Sequence, residues 1–217
     1  HVISGSLIST DLSTGYANTL ATSAASQTPL SIYVDTSNGV RFNGVSSVSA
    51  ADILAVNGVI HKVDAVIGLP NIVTFATADP NFSTLVSALT RSDLTTDFVG
   101  VISTDSATAP APFTVFAPTN DAFTALPAIP AEEPLTQVLL YHVVGGNVTS
   151  SDLTNPGETT AETLQGDSIT ITLPGSEGTI ANVTDASGAS DIGIVAVDVQ
   201  AGNGVIHVLN KVMIPNL

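Results

Sequence analysis

Asn203-Gly204-Val205-Ile206-His207 repeats, residue for residue, the stretch Asn57-Gly58-Val59-Ile60-His61. The repeat raises one question: whether its histidine is catalytic or part of a scaffold. The similarity extends outward from these two pentapeptides. His1-Val2-Ile3-Ser4-Gly5 matches His142-Val143-Val144-Gly145-Gly146, and Ser9-Thr10-Asp11-Leu12 matches Ser150-Ser151-Asp152-Leu153. Ala51-Asp52-Ile53 matches Val197-Asp198-Val199. Residues 1–70 therefore resemble 142–217, while 71–141 has no counterpart within the chain. The expected organisation is a first region, 1–70, forming the β half of one unit, and a second, 71–217, forming a complete unit.

The unmatched stretch reads as helical. Asp79 suits an N-cap and Pro80 the first helical position, and Phe82, Leu85, Val86 and Leu89 follow at helical spacing. Leu94, Phe98 and Val101 extend the pattern by a turn or two. Phe113 to Ala117 reads as a strand, and Pro118-Thr119-Asn120-Asp121 as a turn into a short helix ending near Phe123. Leu135 to Leu140 reads as a last helix, running into Tyr141-His142-Val143-Val144 as a strand. The repeated half reads as β: Ser168 to Leu173 alternates strictly, and Gly178–Val183, Ile192–Val199 and Gly204–Ile214 follow between Gly-, Ser- and Asp-rich turns. A helical half followed by a β half gives an α+β unit.

Composition narrows the function classes. Hydrophobic residues make up 44% of the 217, enough for a packed core, and with aromatics at 5% that core is mostly aliphatic. Four basic residues stand against nineteen acidic ones, for a net charge of −15. A nucleic-acid surface needs clustered Lys and Arg, so nucleic acid is excluded as a partner and an anionic membrane surface is disfavoured. With no cysteine there is no disulfide, thiolate metal site or cysteine nucleophile. No apolar run reaches the roughly 20 residues of a membrane span, so no membrane-spanning segment is expected. The acidic, Ser/Thr-rich composition leans towards a secreted or surface protein. Asn81, Asn147 and Asn182 each open an Asn-x-Ser/Thr triplet.

The chain resembles the fasciclin-like domain family. The residues that carry the resemblance are Phe113-Thr-Val-Phe-Ala-Pro-Thr-Asn-Asp-Ala-Phe123, the pair Tyr141-His142, and the closing run from Asn203 to Pro215. They occur in the family's order and span 71–217; residues 1–70 carry only the tail of the pattern, ending at Asn57 to Ile67. The resemblance implies a tandem, wedge-shaped β-sandwich flanked by several short helices, in a secreted or surface-attached protein whose role is adhesion. It implies no shared catalytic site and no cofactor. Its implied partners are a cell-surface or matrix protein, a polysaccharide, or a further copy of the chain. It also points to Asp52-Ile53, to Asp198-Val199 and to Tyr141-His142 as partner-binding positions. A few members bind apolar pigments, which makes a carrier with a pocket between helices and wedge the alternative function.

The residues themselves favour scaffold over catalysis. On the strand after Asn57-Gly58, Val59, His61 and Val63 share one face. His61 is expected on that apolar side, hydrogen-bonded to backbone. Asn57-Gly58 and Asn203-Gly204 read as turns that set strand register. The four histidines pair off under the repeat, His1 with His142 and His61 with His207, so none is left for a unique triad. Thr119, Asn120 and Asp121 read as a helix cap, Glu132-Glu133 as solvated loop residues, and Asp185 to Asp191 as a turn without the spacing of a calcium loop. No metal site is expected. A carbohydrate-binding module is disfavoured by the lack of tryptophan. One further expectation concerns 1–70: a β half without helices exposes its inner face, to be covered by an upstream half or by a neighbouring molecule. Burial is worth ~25 cal/mol per Å2, so such a half should fold poorly alone.

Overall fold

The duplicated segments build two sheets on one strand plan. A computed structural model describes residues 1–24, 26–108, 111–126 and 128–216. The first sheet runs in the order β1 (Gly15–Thr22), β2 (Pro29–Asp35), β3 (Arg41–Phe42), β4 (Ser46–Ala55) and β5 (Gly58–Val63). Then come α1 (Ile72–Ala78), a 3-10 turn (Pro80–Phe82), α2 (Ser83–Leu89), α3 (Phe98–Ile102), β6 (Phe113–Pro118), α4 (Asn120–Thr124) and α5 (Glu132–Tyr141). Strands β7 (Val143–Gly145), β8 (Gly157–Glu162), β9 (Ser168–Leu173), β10 (Ala181–Thr184), β11 (Ile192–Ala201) and β12 (Gly204–Leu209) complete the chain.

The second sheet has the order β7-β6-β12-β11-β10-β9-β8. Strand β6 lies parallel to β12 and antiparallel to β7. The two ends of this sheet meet: Val144 bridges Thr163, and the Leu164 N–H donates to the Val143 carbonyl at 2.7 Å. The result is a nearly closed wedge with helices on one side, an α+β fold as expected. Side chains alternate along β6, so it divides two cores. Phe113, Val115 and Ala117 face the helical core with Phe75, Phe82 and Leu135. Phe116 faces the inside of the wedge with Tyr141, Ile169 and Ile194.

The two hairpins β4-β5 and β11-β12 repeat one another in register. Val48 pairs with Val63, Ala50 with Lys62 and Ile53 with Ile60. Ile194 pairs with Leu209, Ala196 with Val208 and Val199 with Ile206. Both ladders slip at the same places, and both bulges hold an aspartate, Asp52 and Asp198, at φ 59°. Aspartate tolerates this left-handed region better than most residues.

Two local expectations are corrected, and one helix precedes the start expected at Asp79-Pro80. Helix α1 begins at Ile72 because Asn71 caps it, its Oδ1 accepting the Thr74 N–H at 2.8 Å. Glu132 and Glu133 are not loop residues; they form the first turn of α5, where the helix dipole favours them. Tyr141 ends α5 and His142 caps it, so the following strand begins only at Val143.

The first sheet leans on the helical core of the second unit. Tyr33 of β2 is buried there, and the Tyr16 ring meets Phe75 edge-on at 5.5 Å. The Tyr16 hydroxyl donates to Asp79 at 2.9 Å. Burial, with the Asp79 charge beside it, pushes the Tyr16 phenol well above its usual range. The Gln200 N–H donates to Ser31 Oγ at 3.0 Å, tying β11 to β2. Tyr16→Phe should lower stability by about 1–2 kcal/mol by removing a partner of the buried Asp79 carboxylate. Urea unfolding checks this.

Candidate functional site

Every histidine of the duplicated pentapeptides and their partner segments is a backbone fastener. His207 Nε2 meets the Val148 carbonyl at 2.9 Å, and His61 Nε2 meets the Leu7 carbonyl at 2.8 Å. His142 Nε2 accepts the Met213 N–H at 3.0 Å, and His1 Nε2 accepts the Ile67 N–H at 2.9 Å. His142 Nδ1 donates to the Val138 carbonyl at 2.7 Å. The Nε2 bonds reach distant backbone and correspond between the copies, His207–Val148 with His61–Leu7 and His142–Met213 with His1–Ile67, whereas the Nδ1 bonds differ. Burial lowers the pKa of His142 to about 4 and shifts that of His207 in the same direction. Both rings are held neutral, as their bonding requires.

The candidate partner-binding residues divide into three groups. Asp52 and Asp198 receive matching pairs of bonds. The Ser9 N–H and hydroxyl donate to Asp52 at 2.7 and 2.6 Å, and the Ser150 N–H and hydroxyl donate to Asp198. The Ser9 bonds hold the Asp52 carboxyl below its usual pKa. These aspartates fasten the short turns at residues 9–11 and 150–152 onto the bulged strands. Asp198→Ala should cost about 1–3 kcal/mol, since it unpairs the Ser150 donors and places Ala at positive φ. The change is read as a lower urea midpoint.

Tyr141, His142 and Val199 form the second group, and all three are buried. The Tyr141 hydroxyl donates to the Ser168 carbonyl at 3.0 Å and accepts the Ala186 N–H at 2.7 Å. None of these side chains presents a face to a partner. Ile53 stands apart at 45% exposure, against 4% for its counterpart Val199. Ile60 is likewise 56% exposed where Ile206 is 1%. The structure thus brings Asp52-Ile53 to the surface, while Tyr141-His142 stay inside the second wedge.

The remaining motif residues are also structural. Thr119 caps α4, accepting the Ala122 N–H. Asn120 Oδ1 accepts the Thr84 N–H at 2.9 Å and its amide donates to the Pro80 carbonyl, so it fastens α4 to α2. Asp121 lies in the first turn of α4. Asn203 Oδ1 accepts the Ile72 N–H at 3.0 Å, and its amide donates to the Ile102 and Thr104 carbonyls. This cross-link from the turn to α1 and α3 was missed in the sequence, where Asn203-Gly204 signals only a turn. Asp185 accepts from Ser187, Ala189 and Ile214 N–H groups, so its loop is closed on itself. Among the described residues no three His, Asp or Glu side chains gather as a metal site.

The place where the carrier alternative needs a pocket is a closed core. Phe82, Leu85 and Phe98 are buried, and the apolar cavity they line measures ≈ 30 Å3. That is room for about one water, against the roughly 300–1,000 Å3 of ligand pockets. Among the described residues no helix is long and apolar enough to cross a membrane.

Comparison with known proteins places these features. The fasciclin domain family model matches residues 1–70 and 80–215. Protein sll1483 of Synechocystis is 36% identical over 152 residues, covering 66% of this chain and 73% of that protein. Human periostin is 29% identical over 187 residues, 80% of this chain but 20% of periostin. A solved FAS1 domain pair from fasciclin I, described as an insect cell adhesion molecule, superposes with a TM-score of 0.55. It is 22% identical and covers 87% of this chain and 67% of that one, a likeness of fold.

Proposed function

This chain belongs to the fasciclin domain family, and from that premise we propose that it is a non-enzymatic, secreted or surface-attached adhesion module. It makes contacts between cells or between a cell and a matrix or polysaccharide surface. The observation that carries the reading is the family match across both parts of the chain. The resemblance of fold to a described cell adhesion molecule supports it. The chemistry of the site agrees. The buried histidines are neutral and committed to backbone bonds, and Thr119 and Asn120 are capping and fastening groups.

With a net charge of −15, contacts form with cationic groups or through divalent ions. Asp52-Ile53 is the candidate pair with an apolar side chain open to a partner. Beads coated with the chain should clump with one another or attach to cells or polysaccharide surfaces, and added salt or EDTA should weaken that attachment. Beads that stay dispersed and unattached on every surface would contradict the reading.

A further inference from the structure

Asparagine is followed by glycine at Asn38-Gly39, Asn43-Gly44, Asn57-Gly58 and Asn203-Gly204. Such a pair is chemically weak, because glycine has no side chain to keep its backbone nitrogen away from the preceding side-chain amide. The fold treats these pairs differently. Asn203 is buried, and its amide is held by the Ile72 N–H and by the Ile102 and Thr104 carbonyls. Asn43 is buried too, and its Oδ1 accepts the Tyr33 N–H at 2.8 Å. Asn57 is exposed, but Gly58 opens β5 and pairs with Ala55, which fixes its nitrogen in the hairpin ladder.

Asn38-Gly39 has neither a fastened amide nor a place in a ladder. It lies in the turn between β2 and β3, outside both strands, and both residues are exposed. Gly39 makes an isolated bridge to Ser37. Among the described residues the Asn38 side chain has no hydrogen-bond partner. A Cβ built at Gly39 meets nothing within 4 Å, so a ring has room to close over the turn. We propose that Asn38 is a modification site, at which the chain deamidates itself with water as the only other reactant. The turn in the same place in the second unit, between β9 and β10, carries Glu177-Gly178, also exposed. Its glycine has φ 86° against 79° for Gly39, so this kind of turn already bears a carboxylate.

The step balances without a cofactor. The Gly39 nitrogen gives its proton to hydroxide and attacks Asn38 Cγ. A C–N bond forms there, the Cγ–Nδ2 bond breaks, and ammonia leaves with a proton taken back from water. Water then opens the succinimide ring at one of its two carbonyls. Opening at Cγ gives aspartate on the ordinary backbone. Opening at the Asn38 main-chain carbonyl gives isoaspartate, with the backbone running through Cβ and Cγ. Either product exchanges a neutral amide for a carboxylate, adding one negative charge to a net −15. The extra backbone atom of isoaspartate falls in the turn and not in β2, so Ser31 and Tyr33 keep their hold on the second unit. The inference rests on local geometry and not on the adhesion reading, so either can fail alone.

The whole chain, aged in mildly alkaline buffer, is digested with pepsin in acid and mapped by mass spectrometry. Asn38 should convert first. Asn43 and Asn203 react only after local opening, so they should convert at least about tenfold more slowly. In concentrated urea all the Asn-Gly pairs should convert at similar rates, because the fold no longer selects among them. Asn38→Gln should melt like the parent, and ageing it should not produce the acidic band that isoelectric focusing finds in the aged parent. Conversion at Asn57, Asn43 or Asn203 ahead of Asn38 would overturn the proposal. The same preference for Asn38 in urea would overturn it too, as would an undiminished acidic band from Asn38→Gln.

Discussion

Phe116→Ala is expected to lower stability by about 3–5 kcal/mol, the range for truncating a buried aromatic. Phe116 is 1% exposed and stands between the β12 face at His207 and the aliphatic inner face of the wedge. Its neighbours are fixed by ladders on both sides of β6, so they cannot collapse into the space it leaves. The loss combines transfer of a ring with a residual cavity. Urea unfolding with an unchanged slope is the measurement, and Phe116→Leu should lose clearly less. A loss below about 1 kcal/mol would mean that the wedge is not packed around this ring.

Acid is expected to remove about 3 kcal/mol between pH 6.5 and 4. His142 is buried, and its pKa falls from 6.5 to about 4 on folding, chiefly because burial penalises the charged ring. Between those values the unfolded chain binds a proton that the folded chain refuses, so stability declines as pH falls. The stabilisation is complete above pH 6.5 and exhausted near pH 4. His207 is shifted in the same direction and adds to the decline. The lowered carboxyls of Asp152 and Asp191 act later. Their contribution is present above the unfolded aspartate value and is lost only as pH falls through their folded pKa values. Urea midpoints measured across this range should fall steadily from pH 6.5 downward. His142→Gln, less stable at neutral pH, should show a flatter profile.

Much of this architecture is legible in the sequence because the chain carries its own duplicate. Two copies of Asn-Gly-Val-Ile-His, with matching Ser-x-Asp and Asp-Ile/Val segments, identify the hairpins and assign the histidines to scaffold. Strict alternation in Ser168–Leu173 and the Pro118-Thr119 turn lead directly to β9 and α4. What could not be read depends on distant partners. The β-branched run of α1 is helical because Asn71 caps it and because Ile72 and Phe75 are buried in the helical core. The Asn203 bonds to α1 and α3 span about a hundred residues, and nothing local announces them. Tyr141 looks like a strand residue because aromatics favour strands, yet its hydroxyl is satisfied only where α5 ends against Ser168 and Ala186. The partner positions implied by the family resemblance were the least legible. Their exposure differs between the copies, Ile53 lying open where Val199 is buried in the helical core, and no local pattern announces that.

The central claim is that one scaffold occurs twice and that, among the described residues, β6 lies beside β12 while no strand lies in the matching place beside β5. Amide hydrogen exchange measured along β5 and β12 tests this directly. β12 bonds to β11 on one side and β6 on the other, whereas among the described residues β5 pairs with β4 alone. The account predicts slow exchange throughout Gly204–Leu209 and an alternation of slow and fast amides along Gly58–Val63. Uniformly slow exchange along β5, equal to that of β12, would contradict it.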